Sequence, residues 1–273
     1  SAGGGGAEPT AAVEEVALPD GARLPCEALG DAGAPRLVWG HGLGVPSPWT
    51  KGRRSCESFP VVSAALEDTA REASGQPLSL VVYDARGHGG STGWEPADHN
   101  RDHVNQQFHW RSLAVDMLFV ADRHRRDGVR ALLGGYSMGA SSALWAAFLC
   151  PTAVRGLVLL CVTTAWEIRA ARRGKLLELA SKLESGDHPS SACVVRGAAY
   201  ADLPPLDSLR QAELRVPTLL AAARDDKTHP AEVVERLAEV LPNARLVVVD
   251  TTEELHRAFP GVLREWLGQL PPR

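Results

Sequence analysis

A single serine lies between two glycines in the segment "GGYSMG", residues 134–139, and this arrangement is suited to nucleophilic chemistry. The serine, Ser137, follows an apolar run and precedes a mostly small, apolar segment, so it falls where a strand would end and a helix would begin. Gly135 and Gly139 would let the two elements pass each other without collision. The turn would therefore expose the hydroxyl of Ser137 as a nucleophile.

A serine hydroxyl needs a base to take its proton and an acid to orient that base. Of the nine histidines, only His188, His229 and His256 follow Ser137 by more than the length of a helix. His256 comes six residues after the apolar run "RLVVVD", and we predict that it lies in a loop just before the last helix. His256 is therefore the predicted base.

The acid should lie in the loop beyond the preceding strand. The segment "VPTLLAAARDDKTHP" provides two candidates there, Asp225 and Asp226. The residues alone leave both open.

The elements that must position these groups are short apolar runs alternating with helix-length segments from Arg36 onward. The runs are "RLVW", "LSLVVYD", "VRALLGG", "VRGLVLLCV", "VPTLLAAA" and "RLVVVD". Runs that are apolar at nearly every residue indicate burial on both faces, which is typical of a parallel sheet covered by helices. Before them, residues 12–18 and 23–29 are joined by "PDG" and predict a β-hairpin. The predicted fold class is α/β, with a mostly parallel, doubly wound sheet and an N-terminal β-hairpin.

Apolar residues at helical spacing predict three helices that pack on this sheet. The three stripes are Leu113, Met117, Val120 and Ala121; Val233, Leu237, Val240 and Leu241; and Phe259, Val262, Leu263, Trp266 and Leu267.

The segment 163–214 interrupts the alternation with a helical pattern followed by a Pro-rich stretch, and we predict that it is a lid insertion. The core would then consist of residues 12–162 and 215–273, and residues 1–11, which are rich in glycine, would form a disordered tail. The basic run "RAARRGK" in the insertion indicates a solvated helix face or, alternatively, an anion-binding surface.

Composition excludes several function classes. A net charge of −4 and a pI near 6.1 give no reason to expect nucleic acid as a partner. No run approaches the roughly 18 apolar residues of a membrane span. The five cysteines are scattered without Cys-x-x-Cys spacing and predict reduced thiols. We expect a small-molecule partner and a cytoplasmic location, with the alternative that a targeting segment was removed ahead of Ser1.

Three histidines, His99, His103 and His109, lie close together in an irregular stretch without a closed ligand set. We therefore expect neither a metal nor another cofactor.

With a nucleophile followed by an acid and then a base, the chain resembles the α/β-hydrolase family over about residues 12–270. In that family the acid stands four residues before a proline that opens the next helix, so Pro230 favours Asp226 over Asp225 by analogy. The resemblance implies an α/β-hydrolase fold with a small helical lid. The catalytic triad that it implies is Ser137, Asp226 and His256.

The segment "WGHGLG", residues 39–44, is similar to the oxyanion loop of this family. The resemblance implies that the backbone N–H groups of Leu43 and Met138 stabilise the oxyanion, and that His41 is structural. A second match, "YDARGHGGS", resembles a family segment whose residues brace the loop, His88 among them. Two positions depart from the family pattern, since Ala223 and Leu255 stand where glycine is usual.

Within the family, the layout resembles the carboxylesterase and 3-oxoadipate enol-lactonase group. We expect a cofactor-independent serine hydrolase that cleaves a small ester or lactone through an acyl-enzyme, with Trp110 and Trp166 in the substrate pocket. One alternative is hydrolysis of a carbon-carbon bond by the same triad. Another is a ligand sensor of the same fold with slow turnover.

Overall fold

The structure is a computed structural model that describes residues 13–29, 36–44, 79–94, 106–125, 128–186 and 189–271. Its strands are β1 (Val13–Ala17), β2 (Arg23–Leu29), β3 (Arg36–Gly40), β4 (Ser79–Tyr83), β5 (Ala131–Tyr136), β6 (Val154–Leu160), β7 (Thr218–Ala223) and β8 (Ala244–Val249). Its helices are α1 (Trp110–Arg123), α2 (Met138–Leu149), α3 (Trp166–Ser185), α4 (Pro189–Tyr200), α5 (Leu206–Ala212), α6 (Ala231–Val240) and α7 (Thr252–Gly268), with a 3-10 turn at Pro151–Ala153.

The strands form one sheet in the order β1-β2-β4-β3-β5-β6-β7-β8. The β1 strand pairs antiparallel with β2, and β2 pairs antiparallel with β4, while every later pairing is parallel. The turn between β1 and β2 closes where the N–H of Leu18 donates to the carbonyl of Ala22, and Gly21 there has a φ of +95°. The predicted mostly parallel sheet with an N-terminal hairpin is confirmed.

Helices cover both faces of the sheet. All residues of β4, β6 and β7 are buried. Neighbouring residues of one strand enter opposite layers, because side chains alternate across a strand. Leu132 belongs to the buried cluster that contains residues of α7, whereas Leu133 belongs to the cluster that contains residues of α1, α2 and α6. The three helices predicted from apolar stripes are α1, α6 and α7. Every residue of the first two stripes is buried, whereas in α7 Phe259, Leu263 and Trp266 are buried and Val262 and Leu267 are half-buried.

The segment between β6 and β7 contains three helices, α3, α4 and α5, of which the sequence pattern indicated the first. The stretch described as Pro-rich holds α4, which begins at Pro189, and the short α5. A proline is accepted at the start of a helix because its missing N–H would have no intrahelical partner there. These three helices are called the helical insertion below.

Some sequence predictions fall outside the described residues, namely the tail 1–11, Cys56, His99 and His103. Of the other cysteines, Cys26, Cys150 and Cys161 carry free thiols. In the described ranges, no helix has both the length and the apolar character needed to cross a membrane.

Candidate active site

Ser137 occupies a strained turn between β5 and α2. Its φ of 55° and ψ of −111° lie outside the regions that residues with a side chain ordinarily adopt. The turn is tight enough that a Cβ on Gly139 would collide with the carbonyl oxygen of Gly40, and a Cβ on Gly135 would collide with Gly139. The two glycines around Ser137 are therefore required by packing, as the sequence pattern indicated.

The hydroxyl of Ser137 is joined to a histidine and a carboxylate by two short contacts. The Ser137 Oγ atom lies 2.9 Å from Nε2 of His229, and the Nδ1 atom of that ring lies 2.7 Å from Oδ2 of Asp226. Ser137 and His229 are both buried, at 7% exposure each. When Nδ1 carries the proton and donates to Asp226, Nε2 has a free lone pair to accept the proton of Ser137. The arrangement can therefore activate the hydroxyl.

The Asp226 carboxylate is held in place by its own loop. Its Oδ1 atom accepts the backbone N–H groups of Thr228 (2.8 Å) and His229 (3.1 Å). Burial raises the pKa of Asp226, but the hydrogen bond and charge of His229 and the two N–H donors outweigh this effect and leave the pKa below its usual value. Asp226 is therefore ionised and fixed in orientation.

Asp225 has a different contact, at the beginning of α7. Its Oδ1 atom accepts both the N–H and the hydroxyl of Thr252, each at 2.8 Å. Of the two candidate acids, the geometry favours Asp226.

The prediction that His256 lies in a loop is wrong. The Thr251 side chain accepts the N–H of Glu254 (3.1 Å), so α7 begins at Thr252 and His256 lies inside the helix. The structure places His229, rather than His256, at the hydroxyl of Ser137. A sequence signal for the early helix start was present, because Thr251 followed three residues later by Glu254 matches a capping box.

His41 and His88 hold the loop that faces Ser137. His41 Nε2 accepts the N–H of Ala85 (3.0 Å), so its Nδ1 carries the proton and donates to the carbonyl of Gly42 (2.8 Å). His88 Nε2 accepts the N–H of Gly44 (3.2 Å), and its Nδ1 donates to the carbonyl of Arg86 (3.0 Å). Both nitrogens of each ring therefore bond to backbone, which agrees with the structural roles predicted for these histidines.

The two rings are neutral. Burial lowers the pKa of His41, and burial together with the neighbouring His41 lowers the pKa of His88 to about 3. The ring centroids are 4.8 Å apart, in an edge arrangement that brings two histidines together without two charges. In the loop between them, Leu43 faces the same cavity as Ser137.

Several known proteins are similar to this chain. RutD of Pseudomonas savastanoi pv. phaseolicola, a candidate carbamate hydrolase by name, is 28% identical over a 207-residue alignment that covers 63% of this chain and 74% of the relative. No model of a protein family matches the sequence.

Solved structures match nearly the whole chain. A thermophilic esterase from Thermogutta terrifontis has a TM-score of 0.67 at 20% identity and covers 95% of this chain and 99% of its own. A meta-cleavage product hydrolase from Pseudomonas fluorescens IP01 has a TM-score of 0.64 at 16% identity and covers 94% of this chain and 98% of its own. The chain has the α/β-hydrolase fold.

In this α/β-hydrolase fold, a cavity of about 350 Å³ opens beside Ser137 and His229. The sheet side contributes the loop of Leu43 and the strand end at Tyr136, and the helical insertion contributes residues of α3. The cavity-lining residues are Gly42, Leu43, Trp110, Tyr136, Ser137, Thr163, Thr164, Arg169, Arg172, Lys175, Leu176, Thr228 and His229.

The structure places the two predicted pocket tryptophans differently. Trp110 lies in the cavity wall, whereas Trp166 is not among the lining residues. The Trp166 indole N–H donates to the carbonyl of Pro204 (3.1 Å), and Arg236 lies 4.5 Å above the ring centroid. These contacts hold Trp166 against the segment before α5 and against α6. The sequence prediction of Trp166 as a substrate contact is corrected on that ground.

Tyr136 is a site residue that the sequence reasoning did not single out. Its hydroxyl lies 3.4 Å from Nδ1 of His229, and the two ring centroids are 5.0 Å apart. Burial raises the pKa of Tyr136, so the phenol is neutral beside the histidine.

No group of three or more His, Cys, Asp or Glu side chains in the described part of the chain is arranged to hold a metal ion.

Proposed function

We propose that the protein is a serine hydrolase that cleaves a small ester or lactone through an acyl-enzyme on Ser137. The observation that carries the proposal is the continuous contact from Asp226 through His229 to the Ser137 hydroxyl. A buried serine whose proton has an oriented acceptor is the minimum that acyl transfer requires.

In the first half of the reaction, Ser137 Oγ attacks the substrate carbonyl carbon while His229 Nε2 takes the hydroxyl proton. Asp226 keeps the other ring nitrogen protonated and stabilises the imidazolium that forms. His229 then gives the proton to the leaving alcohol, and the acyl group stays on Ser137 as an ester.

Water completes the cycle. His229 accepts a proton from water as the water attacks the acyl carbon, and returns it to Ser137 Oγ as the acid leaves. In a lactone the leaving alcohol is part of the same molecule, so one ring-opened hydroxy acid is released.

For the developing oxyanion, we assign the backbone N–H groups of Leu43 and Met138. Met138 is the first residue of α2, where a helix has N–H groups without intrahelical acceptors. Leu43 lies in the cavity wall across from Ser137. Loss of one such donor typically costs about 3 kcal/mol of transition-state stabilisation.

The helical insertion acts as a lid in this proposal. Its helix α3 closes the side of the cavity opposite the sheet, and the cavity volume of about 350 Å³ suits a small substrate. The names of the similar proteins, which include an esterase and a candidate carbamate hydrolase, agree with attack of a nucleophile on a carbonyl carbon.

The test is to trap the acyl-enzyme. The protein is mixed with excess para-nitrophenyl acetate, quenched in acid, and analysed by intact mass and peptide mapping. We expect one acetyl group on Ser137, with release of para-nitrophenol, and neither in Ser137→Ala. Release without a covalent acyl group on Ser137 would contradict the proposed mechanism, and binding without release would favour the ligand-sensor alternative.

A further inference from the structure

Three cations lie in one wall of the cavity. Arg169, Arg172 and Lys175 all come from α3, and no Asp or Glu is among the described residues that line the cavity. The three residues belong to the basic run "RAARRGK" of the sequence. Because they face the cavity that contains Ser137, they cannot be treated only as a solvated helix face.

Arg169 is buried without an acidic partner among the described residues. The residue is 6% exposed, and its guanidinium donates to neutral acceptors only, the carbonyls of Ala198 and Ala201 and the hydroxyl of Thr164. Three of its five N–H groups are used in this way, which leaves two. Burial lowers the pKa of Arg169 to about 10, which leaves it charged at neutral pH.

Asp202, the carboxylate that attracts Arg169 most, forms its hydrogen bonds with other residues. Asp202 accepts the backbone N–H groups of Trp166 (2.9 Å) and Leu203 (2.8 Å), and it forms no ion pair with Arg169. A buried cation is costly unless a counter-charge lies near it. The described residues therefore do not supply the negative charge that this wall of the cavity would favour.

The other two cations also lack acidic partners in the described ranges. Arg172 donates to the carbonyls of Lys227 (2.7 Å) and Thr228 (3.3 Å), which leaves three of its five N–H groups. Lys175 is exposed at the cavity and forms no ion pair with a described residue. Further along the same helix, by contrast, Lys182 pairs with Glu178 at 2.7 Å.

A neutral donor completes this wall. Trp110 is 1% exposed and lines the cavity, and its indole N–H has no acceptor among the described residues. The Arg169 guanidinium lies 5.3 Å from the centroid of the Trp110 ring. A buried N–H without an acceptor is costly, and this uncompensated donor lies in the same side chain that packs beside the Arg169 guanidinium.

We propose that the substrate carries a carboxylate close to its scissile bond, and that Arg169, Arg172 and Lys175 bind this carboxylate. A carboxylate would supply the missing counter-charge. A guanidinium group binds the two oxygens of a carboxylate well, because the guanidinium and the carboxylate are both planar. This inference rests on the proposed function and narrows its substrate to half-esters of short dicarboxylic acids or to lactones that bear a carboxylate.

The test compares two esters that differ in charge, para-nitrophenyl hemiglutarate and para-nitrophenyl pentanoate, which have acyl chains of the same length. We expect kcat/KM of the native protein to be at least about tenfold higher for the hemiglutarate, because hydrogen bonds to charged groups are worth that factor or more. Added salt should reduce this preference, because ions screen the attraction. Correction for spontaneous hydrolysis is required for both esters.

Lys175→Met is the informative variant, because Lys175 is exposed and forms no ion pair with a described residue. We expect kcat/KM for the hemiglutarate to fall about threefold to tenfold, mainly through KM, and by a larger factor than for the pentanoate. Lys182→Met removes the same charge from the same helix outside the cavity and should leave both values unchanged. Arg169 is a poorer choice, because its donors hold Ala198 and Ala201.

The outcomes separate this inference from the proposed function. If Ser137 forms an acyl-enzyme but the hemiglutarate is hydrolysed no better than the pentanoate, the carboxylate site is overturned and the hydrolase stands. If neither ester is hydrolysed, the proposed function fails, and calorimetry of Ser137→Ala with monomethyl glutarate and methyl pentanoate decides the carboxylate site. The site is supported if monomethyl glutarate binds saturably, methyl pentanoate does not, and Lys175→Met weakens the binding of monomethyl glutarate. Any other result overturns the site.

Discussion

The Nε2 atom of His229 lies 2.9 Å from the hydroxyl oxygen of Ser137, although the two residues are 92 positions apart in the chain. Parallel pairing of the strands produces this contact. The β5 strand ends just before the serine, and β7 ends just before the loop that contains the histidine, with β6 between the two strands. Carboxyl ends of parallel strands meet at one edge of a sheet, which is where ligands bind in open α/β folds.

The choice of acid gives a matched pair of variants. Asp226→Asn should lower kcat by about a thousandfold to ten-thousandfold, because the neutral amide neither fixes the His229 tautomer nor stabilises its cation. Asp225→Asn should change kcat little, because an amide oxygen can still accept from Thr252. Steady-state ester hydrolysis by both variants checks this, and the reverse ranking would show that Asp225 is the acid.

Two glycine-to-alanine substitutions should have opposite effects on the free energy of unfolding, one in the tight turn at Ser137 and one in α3. Gly139→Ala should lower the free energy of unfolding by about 3 kcal/mol or more, because the added methyl group collides with the backbone of Gly40. Gly174→Ala should raise it by about 0.5 to 1 kcal/mol, because Gly174 lies in α3 with open space around it and alanine favours a helix. Urea denaturation measures both. Equal stability of the two variants would mean that α2 and β3 are not packed as closely as described.

The neutral His88 predicts a loss of stability in acid. Its pKa is about 3 in the folded protein and 6.5 for an ordinary histidine, so between these values the unfolded chain binds a proton that the native chain does not. The unfolding free energy should therefore fall with pH below about 6.5, by up to about 1.4 kcal/mol per pH unit from this residue.

His88→Gln isolates this effect, because glutamine does not titrate. We expect the slope of unfolding free energy against pH to be smaller for the variant between about pH 6 and about pH 4, whatever its stability at neutral pH. Urea titrations at each pH give the slope. Equal slopes for the two proteins would show that His88 is not held neutral.

The fold and two members of the site were predictable because they depend on local patterns. Apolar runs with burial on both faces predicted the parallel strands, and the glycines around Ser137 predicted the turn. Asp226 was favoured over Asp225 by analogy with the family, through its distance from Pro230. Each of these signals lies within a few residues of the feature that it predicts.

The histidine was harder to predict because its position depends on tertiary structure. His229 lies three residues after Asp226, and only the folding of that loop brings its ring to Ser137 while its backbone N–H donates to Asp226. His256 had the expected order along the chain, but the Thr251 cap begins α7 before it. The position of the Trp166 ring likewise depends on a contact with Arg236, which is distant in the sequence.

The central claim is that His229 activates Ser137, and labelling by a fluorophosphonate tests it most directly. Intact mass and peptide mapping follow the adduct with time in the native protein, His229→Gln and His256→Gln, with Ser137→Ala as the unlabelled control. We predict rapid labelling of Ser137 in the native protein and in His256→Gln, and labelling slowed by about a thousandfold or more in His229→Gln. The account would be contradicted if Ser137 were labelled at the native rate in His229→Gln, or if its labelling were lost in His256→Gln.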